Sequence, residues 1–188
     1  IAYRASGNPD RAKDLAIQRM IADPLDLLPH ILLANLSAAP GSTDLPAQWL
    51  PMIGEDVFEF TEAAMNFADV RQYDLALAAL APVVGDDAKG AKPIVHYLAA
   101  YYAAGQGDTA GADAHLDKAR AVTGDYAFPS RPDALEPLLF AKVSKPDDAQ
   151  AYLMLGNLYA GAYRIDEAVD SWTRAADLDP MLSVAHRN

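Results

Sequence analysis

The chain has 188 residues, of which 15 are Lys or Arg and 26 are Asp or Glu, giving a net charge of −11. Phosphate recognition needs clustered cations, so nucleic acid and anionic membrane surfaces are excluded as expected partners. The absence of cysteine excludes disulfides, thiol catalysis and zinc–cysteine sites, while 52% hydrophobic residues, many of them alanine, suffice for a helical core. In chain order, the apolar periodicity predicts helices over 9–22 and 26–38. Residues 39–55 carry Pro40, Gly41, Pro46, Pro51 and Gly54, so a long connection is expected there, with at most a short turn around Trp49. Helices follow over 56–69, 72–84, 91–104 and 108–122. Between Gly124 and Asp148, Ser130 is expected to cap an inserted helix over 131–143, with Pro132 and Asp133 in its first turn. Leu135, Leu138, Leu139 and Val143 give that helix an apolar face. The last predicted helices are 147–161, 165–178 and 181 onward. No stretch alternates with the strand period, so no sheet is expected. No apolar run reaches the ~18 residues of a spanning helix, and no signal peptide is visible.

A repeat is clearest in Ala149–Leu182. Leu155 and Gly156 are adjacent, Tyr159 follows, then Ala168, Trp172 and Ala175, and Pro180 closes the unit. This length and this order of small and large residues resemble the tetratricopeptide unit. Gly156 lets a partner helix approach closely, Tyr159 and Trp172 fill what the small residues leave, and Pro180 stops the helix. Asp166 and Glu167 lie in the first turn of the second helix, at its positive end. Phe60, Ala63, Ala64, Phe67, Tyr73, Ala76 and Leu80 repeat the spacing. Leu98, Ala99 and Tyr102 pair with Ala112, Leu116 and Ala119, and the turn AAGQGD is expected to hold about one extra residue. Ala12 and Pro24 are spaced as Ala168 and Pro180. The chain opens on Ile1 and not on Met, so it is expected to begin inside the second helix of a repeat, as a segment of a longer protein. SVAHRN reads as the opening of another unit. The expected fold is a single all-α domain over 1–188, a right-handed α-solenoid of tetratricopeptide-like hairpins with one long connection and one inserted helix.

Three stretches carry a more specific resemblance: ADPLDLLPHILLANL (22–36), GDYAFPSRPDALEPL (124–138) and YLMLGNLYAGAYRIDEAVDSWTRAADLDPMLSVAHRN (152–188). The middle one, with Tyr126-Ala127-Phe128-Pro129-Ser130-Arg131, is foreign to the generic repeat. The chain resembles the C-terminal repeat region of a bacterial family of uncharacterised proteins. In that family a β-rich region reminiscent of carbohydrate-handling sandwiches precedes the repeats. The resemblance implies no catalytic residue in this region. It leaves two expectations. One is a non-catalytic scaffold whose groove binds a protein or peptide. The other is an accessory module packing on an upstream, carbohydrate-active part of its own chain.

The chemistry-bearing residues are sparse. Gly105-Gln106-Gly107-Asp108-Thr109-Ala110 has the spacing of a dinucleotide-binding turn, but a helix and not a strand precedes it, so it reads as a hairpin turn. His30, His96, His115 and His186 show no mutual ligand spacing, and neither metal nor cofactor is expected. Glu55, Glu59 and Glu62, with Asp56 beside them, read as a solvated face at a helix start. Asn35-Leu36-Ser37 matches a glycosylation acceptor but falls inside a predicted helix. The expected recognition surface is the concave groove of first helices, with His96, Leu153, Asn157, Ala160 and Arg187 lining it. Asn157 stands where some tetratricopeptide domains grip a terminal carboxylate, but Leu153 occupies the place of the required Lys. Arg131 is expected to anchor the inserted helix against an acidic neighbour.

Overall fold

The computed structural model describes residues 2–37, 57–84, 92–122, 129 and 131–187. The expected connection over 39–55, the turn at Trp49, the residues Glu55 and Asp56 and the Ser130 cap lie outside them. All regular structure among the described residues is helical, and the chain divides into two compact units, Ile1–Ala91 and Lys92–Asn188. The first contains α1 (Ala2–Ala5), α2 (Pro9–Ala22), α3 (Leu27–Ser37), α4 (Val57–Ala68) and α5 (Tyr73–Leu80). The second contains α6 (Pro93–Gly105), α7 (Thr109–Ala121), α8 (Leu135–Ser144), α9 (Ala149–Gly161), α10 (Ile165–Leu178) and α11 (Ser183–Arg187). Helices consecutive in sequence pack on one another: α1 on α2, α4 on α5, α6 on α7 and α9 on α10.

Four of these joins share one backbone device. In each, the residue before the second helix's N-cap is left-handed: Gly7 at φ 78°, Arg71 at 57°, Gly107 at 84° and Tyr163 at 59°. The following N–H then reaches back to a carbonyl of the first helix. Asn8 donates to Tyr3 at 2.8 Å, Gln72 to Phe67 at 3.0 Å, Asp108 to Ala103 at 3.0 Å and Arg164 to Tyr159 at 2.9 Å. Carbonyls left open at a helix end are thereby satisfied. Asn8 and Asp108 also cap the second helix, their side chains accepting from the N–H of Arg11 and Gly111.

Counting from these turns fixes the register. Seven residues before each left-handed residue stand Ala64, Ala100 and Gly156; nine after it stand Leu80, Leu116 and Trp172. Five after it, alanine recurs at 12, 76, 112 and 168, buried every time. A Cβ on Gly156 would come within 2.3 Å of Trp172 Cδ1, so glycine is required where the second helix carries an indole. Where that place holds leucine, the first helix carries alanine. This corrects the expected register around Gln106. The turn after α6 has the same length as the one after α9, and Ala99, Ala100 and Ala103, not Leu98, Ala99 and Tyr102, match Leu155, Gly156 and Tyr159.

The inserted element starts later than expected. Arg131 is extended, Pro132–Ala134 form a 3-10 turn, and the α-helix begins at Leu135. Its buried face is Pro137, Leu138 and Ala141, whereas Val143 is 78% exposed and leaves the apolar face. Arg131 Nε lies 2.9 Å from Asp133 Oδ2, so its acidic neighbour is two residues away. α8 packs on both α6 and α9. The link after α8 is pinned to α7: Lys145 meets Asp113 at 2.6 Å and Asp117 at 3.0 Å, and Asp147 meets Arg120 at 3.0 Å. In the first unit, Arg4 of α1 bonds Gln72, Asp74 and Asn35, tying α3 to the start of α5.

Left-handed backbone costs a non-glycine residue about 1 kcal/mol or more. Tyr163 is 90% exposed and gives up no burial when truncated. Tyr163→Gly is therefore expected to stabilise the chain by about 0.5–1 kcal/mol in urea denaturation. Gly156→Ala should destabilise it by about 1–3 kcal/mol through overpacking. Adding Trp172→Leu, which recreates the alanine–leucine pairing of the other helix pairs, should recover most of that loss.

Candidate functional site

The expected groove residues separate into two sets. Leu153 is 2% exposed and packs with Ala175 and Ala185, with Trp172 and Leu182 beside them. His96 is 3% exposed. Both belong to the core and offer no surface to a ligand, which corrects their assignment to a groove. Leu153 is covered by α10, the turn after it and α11, and His96 by His115 of α7. Arg187 is exposed, and Ala160 and Asn157 are half-buried. Asn157 Oδ1 accepts from Trp172 Nε1 at 3.0 Å, which orients the indole over Gly156. Of the repeat residues, Leu155, Gly156, Ala168 and Ala175 are buried, Tyr159 and Trp172 half-buried and Pro180 exposed.

The four histidines form two kinds of contact. His30 and His186 do the same thing at equivalent joints. His30 Nε2 donates to the Pro24 carbonyl at 2.8 Å, and His186 Nε2 donates to the Pro180 carbonyl at 3.1 Å. The six-residue separation Pro24–His30 recurs as Pro180–His186 and was visible in the sequence.

His96 and His115, separated by a turn and distant in sequence, are brought together. Their Nδ1 atoms lie 3.4 Å apart and their ring centroids 5.7 Å. The nitrogens face each other head-on, so one ring donates N–H and the other accepts with its lone pair. The two Nδ1 atoms face each other along one line, whereas a tetrahedral ion needs ligand lone pairs that converge at an angle. Among the described residues, no group of three His, Asp or Glu side chains could hold a metal ion. Burial pushes the His115 pKa below its ordinary value, with Lys118 adding to the shift and Asp108 opposing it.

One further buried polar contact escaped sequence reading. The Tyr97 hydroxyl donates to Asp148 Oδ2 at 2.9 Å, with Tyr97 fully buried and Asp148 1% exposed. The other carboxylate oxygen accepts from the N–H groups of Gln150 and Ala151, capping α9. Burial raises the Asp148 pKa, although the Tyr97 bond, the Ala151 N–H and the Arg120 charge all pull it down. Desolvation by burial raises the Tyr97 pKa too, and the Asp148 charge adds to it. The pair locks α6 to the start of α9. Gln106-Gly107-Asp108, at the centre of the dinucleotide-like spacing, is the turn between α6 and α7, preceded by helix. Glu59 is exposed in the first turn of α4 and Glu62 half-buried. Asn35 lies in α3 with its side-chain oxygen accepting from Arg4. No helix among the described residues is long and apolar enough to cross a membrane.

The head-on histidine pair makes stability pH-dependent. The unfolded chain takes up a proton on His115 near the ordinary value, while the folded chain takes it up only at lower pH. Stability is therefore present above about pH 6.5 and falls as pH drops below it. Thermal unfolding followed from pH 7.5 to 5.5 should show the melting temperature falling, and His115→Gln should flatten that fall.

Compared with known proteins, the chain matches no protein-family model and no curated sequence.

Proposed function

We propose that the chain is a non-catalytic interaction scaffold, a right-handed solenoid of tetratricopeptide-like helix pairs that binds a peptide or a helix of another protein. The observation that carries this reading is the recurrence of one turn and one pattern of small and large residues. The same left-handed join at Gly7, Arg71, Gly107 and Tyr163, with alanine five residues on, generates pairs of one kind. Stacked pairs of this kind bury a continuous core and leave long side-chain rows for recognition. The buried titratable groups support the reading because their observed contacts serve packing: Tyr97 with Asp148, and His96 with His115. Recognition then falls to exposed positions such as Arg187, and not to the buried His96 and Leu153.

Selection of a random peptide library on the immobilised chain tests this. A recurrent motif is expected, with micromolar affinity when resynthesised and titrated calorimetrically. A library that returns no enriched motif, or turnover catalysed by the chain, would overturn the reading.

A further inference from the structure

We infer that Lys142, Tyr152 and Arg174 form a site in the second unit for an acidic segment of a partner protein. That segment is extended and carries carboxylates at alternate positions. The inference rests on the scaffold reading and deepens it by naming a site and the chemistry of the partner.

Three helices contribute one group each: α8 gives Lys142, α9 gives Tyr152 and α10 gives Arg174. Lys142 Nζ lies 5.5 Å from the centroid of the Tyr152 ring, and the Arg174 guanidinium carbon lies 5.9 Å from it. The two cations therefore stand within about 11 Å of each other, both attracted by one ring. Tyr152 is half-buried and packs on the core around Leu153, so the ring is a fixed platform. The lysine and the arginine are exposed.

Neither cation is neutralised. Among the described residues, Lys142 and Arg174 form no salt bridge, and the Tyr152 hydroxyl makes no hydrogen bond. Arg120, Arg131, Lys145 and Arg164 of the same unit each meet a carboxylate of the chain. Carboxylates are also at hand for Arg174. Asp170 and Asp177 stand one turn to either side of it, at the spacing of a helical ion pair, yet Arg174 lies over the ring. The site also faces away from α11. Trp172 and Ala176 pack around the cluster that includes Ala185, and Arg174 is about 160° around α10 from each of them.

An ammonium, a guanidinium and a phenol hydroxyl with no acceptor among them call for an acceptor-rich ligand. Carboxylates accept charge-assisted bonds from both cations. The ring already restricts the two long side chains, so less freedom is lost when an anion binds. In an extended segment, residues i and i+2 point the same way about 7 Å apart. Their carboxylates reach one cation each while both cations stay over the ring, whereas a single phosphoryl group would have to draw both to one point. The net charge of −11 opposes an acidic ligand chiefly at long range, and fields fall off over about 8 Å at physiological ionic strength. Asp170 and Asp177 lie closer and reduce the gain, so the expected affinity is modest.

An acetylated and amidated peptide, Gly-Ser-Glu-Val-Glu-Ser-Gly, is titrated into the isotope-labelled whole chain and followed by amide chemical shifts. Saturable shifts around Lys142, Tyr152 and Arg174 are expected, with a dissociation constant of roughly 0.1–1 mM. The same peptide with glutamine in both acidic places should bind at least about tenfold more weakly. Lys142→Gln and Arg174→Gln should each weaken binding about three- to tenfold. Lys13→Gln in the first unit removes the same charge from an exposed place and should leave binding unchanged. Should one of the two site variants fail to fold by circular dichroism, the other carries the test. Shifts that are absent or confined to the first unit, equal losses from Lys142→Gln and Lys13→Gln, or tighter binding of a peptide with one phosphoserine in place of the two glutamates would each overturn the proposal. If the acidic peptide fails while the random library yields a binding motif, this site is overturned and the scaffold reading stands.

Discussion

Each tight reversal between paired helices takes three or four residues, one of them left-handed. That constraint is met by Gly7, Arg71, Gly107 and Tyr163, and the rest of the packing follows from it. With the turn fixed, the two helices meet in one register, and the side chains facing across the pair are set by counting. A glycine must then oppose an indole, and an alanine a leucine. Two of the four positions tolerate arginine and tyrosine despite the backbone cost, because the carbonyls captured by the next N–H outweigh it.

Beyond the pairs, cohesion within the second unit depends on polar ties with unequal energetics. Tyr97 and Asp148 are deeply buried, so each would be costly alone and the bond between them is what makes burial tolerable. The contacts of Lys145 with Asp113 and Asp117 lie at a wetter surface and contribute less. Their role is geometric: they hold the short link after α8 against α7, so that Asp148 arrives under the Tyr97 hydroxyl.

The legibility of this chain in its sequence follows the strength of local signals. The bounds of α2 and α10 are as expected from periodicity: Asn8 and Pro9 mark the start of α2, acidic residues fill the first turn of α10, and a proline follows each helix. The helical class follows from the same signals. The register around Gln106 is not legible in the sequence because alanine at 99, 100 and 103 gives no contrast between neighbouring places, and the larger Leu98 and Tyr102 suggest an alignment one residue off. Val143 fits the apolar spacing, but it ends a helix of 10 residues and is 78% exposed. The burial of Leu153 and His96 depends on tertiary neighbours, Ala175 and Ala185 for one and His115 for the other, which no local pattern encodes. The contacts Tyr97–Asp148 and His96–His115 are tertiary and likewise left no local trace, whereas the paired Pro–His spacing did.

The two uses of histidine differ in what the ring nitrogen meets. At Pro24 and Pro180 the ring Nε2–H donates to a proline carbonyl. Two rings meeting nitrogen to nitrogen have one lone pair between them, and a single proton added there removes it. Mild acid therefore acts on the packing of α6 against α7, where protonation would leave two N–H groups facing one another.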